Sequence, residues 1–155
     1  MLKANQKAPA FTALNQVGKP ISLTDFRGAQ NVVLYFYPRD DTPGCTIEAK
    51  QFTTLADEFA GLHTIIIGVS KDSCESHQAF IGKFGLKIEL LSDTEGKLCE
   101  DYGVWQEKEK NGEKTMGIMR STFIIDKQGK LVDVEYGVAA DGHARAVLEK
   151  VKQIA

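Results

Sequence analysis

Residues Tyr37–Lys50 read YPRDDTPGCTIEAK, and a single thiol, Cys45, follows Thr42 by three positions, behind prolines at 38 and 43 and a glycine at 44. If a helix begins at Pro43 or Gly44, Cys45 falls in its first turn. There, unpaired backbone N–H groups and the positive end of the helix dipole favour the thiolate over the thiol. Such a cysteine is a nucleophile at neutral pH, whereas one in apolar surroundings is inert. Thr42, three positions earlier, turns its hydroxyl towards the same region, either to donate to a bound oxygen substrate or to cap the helix. Pro38, where a buried strand ends, removes a backbone donor and stiffens the approach, which is expected to shield the thiolate from water. A dithiol oxidoreductase needs Cys-x-x-Cys at this place, and Thr42 stands where its first cysteine would be.

The elements that position this thiol follow from hydrophobic periodicity. Asn31–Pro38 and His63–Ser70 are continuous apolar, β-branched runs, as expected of strands covered on both faces. Between them, Ile47, Phe52, Leu55 and Phe59 predict one buried stripe on a helix over residues 46–60. Strand, helix, strand implies a parallel, right-handed crossover. A second helix is expected from Asp72 or Ser73 to Gly85, a short strand over residues 87–93, and a short helix from Thr94 to about Gly103. Residues 121–137 predict a hairpin turned at Lys127–Lys130, and residues 141–155 a closing helix with Ala144, Val147, Leu148 and Val151 on its buried face. An N-terminal hairpin turning at Val17-Gly18-Lys19 completes the set. The expected architecture is α/β and thioredoxin-like: a mixed central sheet with helices on both faces, in one domain over residues 1–155.

Composition narrows the function classes. Nineteen basic against 21 acidic residues, a formal net charge of −2, give no general attraction to nucleic acid or an anionic membrane. The segment QEKEKNGEK, residues 106–114, mixes both signs and reads as a solvated turn. No apolar run is long enough to span a bilayer, and the N-terminus carries no export signal, so a cytoplasmic location is expected. Three cysteines without such a signal point to reduced thiols rather than a disulfide scaffold. Cys74 and His77 share a helix face, but two ligand types alone do not make a metal site, and a solvated face is expected there. His63 and His143 are expected at element ends, and Trp105 at the core edge.

The run Pro38-x-x-x-Thr42-x-x-Cys45 resembles the peroxiredoxins, and in particular their bacterioferritin comigratory protein, or peroxiredoxin Q, branch. VVLYFYPRDDTPGCT, GVSKDS, LLSD, CEDYGVW and RSTFIIDKQGK resemble that branch in the same order, so the likeness spans nearly the whole chain. The resemblance implies a thiol peroxidase without cofactor or metal. Cys45 would attack a hydroperoxide, Thr42 and Pro38 would frame it, and Arg120 would supply the site's cation. It also implies regeneration by thioredoxin, glutaredoxin or a small thiol, and a monomer.

The chain departs from the branch at the second thiol. Members resolve the sulfenic acid with a cysteine five positions downstream or in the next helix, where this chain has Lys50 and Ile81. Cys99 and Cys74 are the remaining thiols; a one-cysteine cycle is favoured, with an internal disulfide to either left open. Two other functions stand beside the peroxidase: a thioredoxin-like disulfide reductase, disfavoured by Thr42, and a non-enzymatic chaperone or redox-sensing partner.

Overall fold

The computed structural model describes residues 1–154; residue 155, at the tip of the expected closing helix, and the side chain of Lys110 lie outside the described residues. The central parallel pair is β3 (Asn31–Phe36) and β4 (Thr64–Ser70), in register from Asn31 opposite Thr64 to Phe36 opposite Val69. Every residue of β3 is buried, which explains its unbroken apolar run. Its side chains alternate: Val32, Leu34 and Phe36 enter one core, and Val33 and Tyr35, with Tyr37 just beyond, enter the other.

On one side of β4, β5 (Glu89–Ser92) pairs in parallel and carries β1 (Thr12–Asn15) and β2 (Pro20–Ser22) antiparallel beyond it. On the other side of β3 lie β8 (Ser121–Ile125) and β9 (Leu131–Tyr136), both antiparallel. The sheet order is β2-β1-β5-β4-β3-β8-β9, the mixed sheet expected, with both hairpins where the sequence predicts them. Helices α1 (Pro43–Thr54), α2 (Ala56–Gly61), α3 (Cys74–Phe84) and α5 (His143–Ile154) contribute to the core on one face; α4 (Lys97–Asp101) contributes to the other. No helix among the described residues is long and apolar enough to cross a membrane.

Four expectations are corrected. The single helix over residues 46–60 is two, broken at Leu55 (φ −98°, ψ 2°). The Thr54 hydroxyl donates back to the Lys50 carbonyl at 3.0 Å, a bond that competes with the helix ladder and bends helices. The buried face also differs, since Ile47 is 43% exposed and Glu48 is buried in its stead. Phe52, which stacks on Tyr35 at 4.7 Å between centroids, anchors α1 to β3.

The charged segment 106–114 is not a turn between core elements but most of a two-stranded ribbon, β6 (Trp105–Lys110) and β7 (Glu113–Ile118). Asn111 and Gly112, at φ +54° and +80°, form its two-residue turn. Asn-Gly tolerates this left-handed pair and matches the twist of the flanking strands. Trp105 sits at the edge of the core, as expected, with the Lys71 ammonium 4.2 Å from its ring centroid.

His77 is likewise not on a solvated helix face. It is wholly buried and faces Asp40, in the segment between β3 and α1.

Candidate active site

α1 starts with Pro43 at its first position, where proline loses no helical bond. Thr46 N–H makes the first helical bond, back to the Thr42 carbonyl at 2.9 Å, so the Cys45 N–H lies ahead of the ladder, in the turn that concentrates positive potential. The Cys45 side chain points into the α1 face of the core and the residue is 2% exposed.

Thr42 occupies the N-cap in extended conformation, but its hydroxyl does not cap the helix: it donates to the Arg39 carbonyl at 2.9 Å. That bond keeps the hydroxyl oxygen's lone pairs free and closes the loop ahead of the thiol. Pro38 is exposed, and Cys45 is buried within the core cluster on the α1 face of the sheet.

Arg120, between β7 and β8, brings the far end of the chain to the thiol. Its Nη2 donates to Cys45 Sγ at 3.4 Å and its Nη1 to Glu48 Oε1 at 2.6 Å. The guanidinium fork therefore spans two residues one helical turn apart. Gly44 gives it room: a side-chain carbon there would stand 3.2 Å from Nη2, which would have to shift by a few tenths of an ångström.

Burial dominates the electrostatics of Glu48. Loss of solvation pushes its carboxyl up to about 7, although the Arg120 charge and hydrogen bond pull it down. The second oxygen, Oε2, is buried without a hydrogen-bond partner, as is the Tyr35 hydroxyl on β3. Burial, followed by the nearby Glu48 and Cys45 charges, raises the Tyr35 phenol well above its usual range.

A second cluster fixes the loop that leads into α1. Asp40 accepts from the Tyr37 hydroxyl at 2.6 Å and from Ser76 Oγ at 2.8 Å, and faces His77 Nδ1 at 2.7 Å. Its own N–H donates to Asp72 at 2.8 Å, and Asp72 accepts from Ser70. Burial opposes ionisation of Asp40, but the His77, Tyr37 and Ser76 hydrogen bonds outweigh it and hold the carboxyl below its usual range. Ligand-type atoms of Asp40, Asp72 and His77 lie within 4.8 Å of one another, yet each residue is already engaged in this staple.

The remaining thiols are placed differently. Cys99 is wholly buried in the core on the opposite face of the sheet from Cys45. Burial and Asp93, which accepts from the Cys99 N–H at 2.8 Å, push its thiol far up and keep it protonated. Cys74 is half-buried at the first position of α3, and all three cysteines are free thiols. Lys50 is exposed on α1, and Ile81 is half-buried on α3.

The structure thus brings Cys45 and Arg120 together, sets Thr42 at the helix entry and leaves Cys99 apart. Sequence reasoning missed Glu48, Gly44 and the Asp40–His77 pair. For Glu48 a signal existed: it lies three residues after Cys45, on the same helix face.

A sheet of this order, with one arginine-contacted cysteine at the first turn of the helix after its central strand, defines a thiol protein of thioredoxin-like fold. The chain belongs to the AhpC/TSA family, whose model matches residues 4–134, and within it to the bacterioferritin comigratory protein, or peroxiredoxin Q, branch of the peroxiredoxins. It is 42% identical over 150 residues to a putative peroxiredoxin bcp of Coxiella burnetii, covering 97% of this chain and 99% of that one. It is 42% identical over 153 residues to peroxiredoxin Bcp of Bacillus subtilis, covering 99% and 97%. A cysteine mutant of Xanthomonas campestris peroxiredoxin Q superposes with a TM-score of 0.92 at 37% identity, over 99% of this chain and 100% of that one. The protein is accordingly a thiol peroxidase.

Proposed function

We propose that the protein reduces hydrogen peroxide and small organic hydroperoxides through Cys45, in a cycle completed by an external thiol. The observation that carries this is the 3.4 Å approach of the Arg120 guanidinium to the Cys45 sulfur at a helix start. Xanthomonas campestris bacterioferritin comigratory protein, which superposes with a TM-score of 0.88 at 37% identity over 93% of this chain and 91% of that one, has been described for its alkyl peroxide reduction activity. That activity supports the same substrate class here.

In the first step the Cys45 thiolate attacks the terminal oxygen of ROOH. The S–O bond forms as the O–O bond breaks, the departing alkoxide takes a proton to become ROH, and Cys45 is left as the sulfenic acid. Charge develops on the departing oxygen, and the Arg120 guanidinium and the Cys45 N–H are the preset donors for it, while the Thr42 hydroxyl, whose hydrogen goes to the Arg39 carbonyl, is placed to accept from the hydroperoxide O–H. A reductant thiol then attacks the Cys45 sulfur, releasing water and leaving a mixed disulfide. A second thiolate resolves it and returns Cys45. Thioredoxin, glutaredoxin or a small thiol suits these last steps.

The placement of the other cysteines supports the one-cysteine cycle. A Cys45–Cys99 disulfide would have to form across the sheet, and Lys50 and Ile81 offer no thiol. Steady-state peroxide reduction with an external thiol tests the reading. Cys45→Ser should abolish turnover, while Cys74→Ser and Cys99→Ser should each retain it. Turnover that survives Cys45→Ser refutes the assignment; collapse on Cys74→Ser shows an internal resolving partner instead.

A further inference from the structure

α1 grips Arg120 with a ridge of residues three apart. Cys45 and Glu48 accept from its two terminal nitrogens, and Gln51, the next residue on the ridge, reaches the stretch of chain that holds the other end of the arginine. That stretch is Val138–Gly142, between β9 and α5. The Val138 N–H donates to the Arg120 carbonyl at 2.9 Å, and just past the far end His143 Nε2 lies 2.7 Å from the hydroxyl of Thr122, two positions beyond Arg120. The segment is therefore tied at both ends to the start of β8.

Its middle leans on the start of α1. A side-chain carbon at Gly44 would stand 3.8 Å from the Ala140 methyl and 3.2 Å from Arg120 Nη2, so Ala140 and the guanidinium flank the same point beside Cys45. This contact needs fixing, because the segment is bracketed by Gly137 and Gly142, at φ +72° and +79°, a left-handed backbone where a glycine chain turns freely. Gln51 fixes it. Its Nε2 donates to Asp141 Oδ1 at 2.6 Å, and its Oε1 accepts from the Gly142 N–H at 2.8 Å. These partners force the orientation of the amide, since a carboxylate needs the NH2 and a backbone N–H needs the oxygen. Among the described residues no other side chain of α1 hydrogen-bonds this segment.

We propose that Gln51 is a positioning residue of the Cys45 site: it clamps Val138–Gly142 against the start of α1 and so fixes the seat of Arg120 beside the thiol. This rests on Cys45 being the reacting thiol. α1 then holds Arg120 twice, by its side chain through Cys45 and Glu48 and by its main chain through Gln51 and the clamped segment.

A double-mutant cycle tests it. Second-order rates of Cys45 oxidation by hydrogen peroxide are measured by stopped flow on the full chain for wild type, Gln51→Ala, Arg120→Ala and the double variant. Gln51→Ala should oxidise about fivefold more slowly, the scale of one lost hydrogen bond. It should have no further effect once Arg120 is alanine, because it acts through that side chain. A clamp that served stability alone would leave the wild-type rate or slow both backgrounds alike, and either result overturns the proposal.

An exchange of the two polar partners supplies the rescue. Gln51→Glu keeps an acceptor for the Gly142 N–H but meets Asp141 with a second carboxylate, and should slow oxidation at least as much as Gln51→Ala. Gln51→Glu combined with Asp141→Asn restores both bonds and should recover the wild-type rate; failure to recover overturns the proposal. Alkylation of Cys45 by iodoacetate at one pH repeats the first cycle without peroxide chemistry, since that anion also feels the Arg120 charge. Gln51→Ala should slow it in the wild type and not in Arg120→Ala, and equal loss in both again overturns the proposal. If the wild type does not react with hydrogen peroxide, the peroxidase reading fails, and the alkylation cycle still decides the role of Gln51.

Discussion

Arg120 reaches Cys45 and Glu48 with separate guanidinium nitrogens, at 3.4 and 2.6 Å, so the cation beside the thiol is fixed by a buried acid one helical turn further on. A donor held in this way is preset for the negative oxygen that develops during peroxide cleavage. Arg120→Ala should therefore lower the second-order rate of Cys45 oxidation by about a hundredfold, the scale for loss of one oxyanion donor. Stopped-flow oxidation by hydrogen peroxide measures it; an unchanged rate would remove Arg120 from the chemistry.

Gly44→Ala separates activity from stability. The added carbon would stand 3.2 Å from Arg120 Nη2, so the guanidinium would have to give by a few tenths of an ångström beside Cys45. At a helix start, alanine costs the fold little and relieves glycine's conformational entropy. Oxidation of Cys45 should slow while the urea midpoint holds or rises. A variant as fast as wild type would show that the fork has room to spare.

Glu48 makes stability depend on pH. Its folded-state pKa of about 7 lies above the ordinary carboxyl value of 4.5, so the folded protein binds the extra proton. The stability linked to that proton is complete below about 4.5 and is lost as pH rises through about 7, a change on the order of 3 kcal/mol. His143, whose pKa burial lowers from 6.5, works in the opposite sense and is lost as pH falls. The difference between wild type and Glu48→Gln isolates the carboxyl. Urea midpoints at pH 4.5 and 8 should show the variant gaining on wild type as pH rises, and parallel curves would contradict the account.

The Asp40–His77 pair carries a forced proton. His77 Nε2 lies 2.9 Å from the Leu91 carbonyl, which only accepts, so that nitrogen bears hydrogen. Nδ1 faces Asp40 Oδ2 at 2.7 Å, and a proton must lie between them. His77→Ala would leave Asp40 buried without it and should cost about 3–5 kcal/mol in urea unfolding. A loss under about 1 kcal/mol, the level of an exposed pair, would show that the staple does not hold the loop.

Much of this was legible from local sequence. β3 and β4 announce themselves because strands buried on both faces must be apolar throughout, and Cys45 is legible because its helix start follows such a strand. Arg120 was legible through family resemblance only, since nothing in Met119-Arg120-Ser121 says that its side chain reaches a residue 75 positions away. Glu48 was missed because an acid on a helix normally faces water, and Ile47 took its place in the expected stripe. Its burial exists through Arg120, a long-range contact that periodicity does not encode. The β6–β7 ribbon lacks the apolar alternation that marks strands, since most of it meets solvent; its Asn111-Gly112 turn was the remaining cue. The break at Leu55, beside the Thr54 hydroxyl that bonds back to the Lys50 carbonyl, leaves no mark in a hydrophobic pattern.

The most direct test of the central claim is intact mass with peptide mapping after one equivalent of hydrogen peroxide is added to fully reduced protein. The account predicts rapid gain of one oxygen, carried by Cys45 and removed by an added thiol. Loss of two hydrogens, with Cys45 joined to Cys74 or Cys99, would contradict the one-cysteine cycle, and no rapid change at Cys45 would contradict the peroxidase itself.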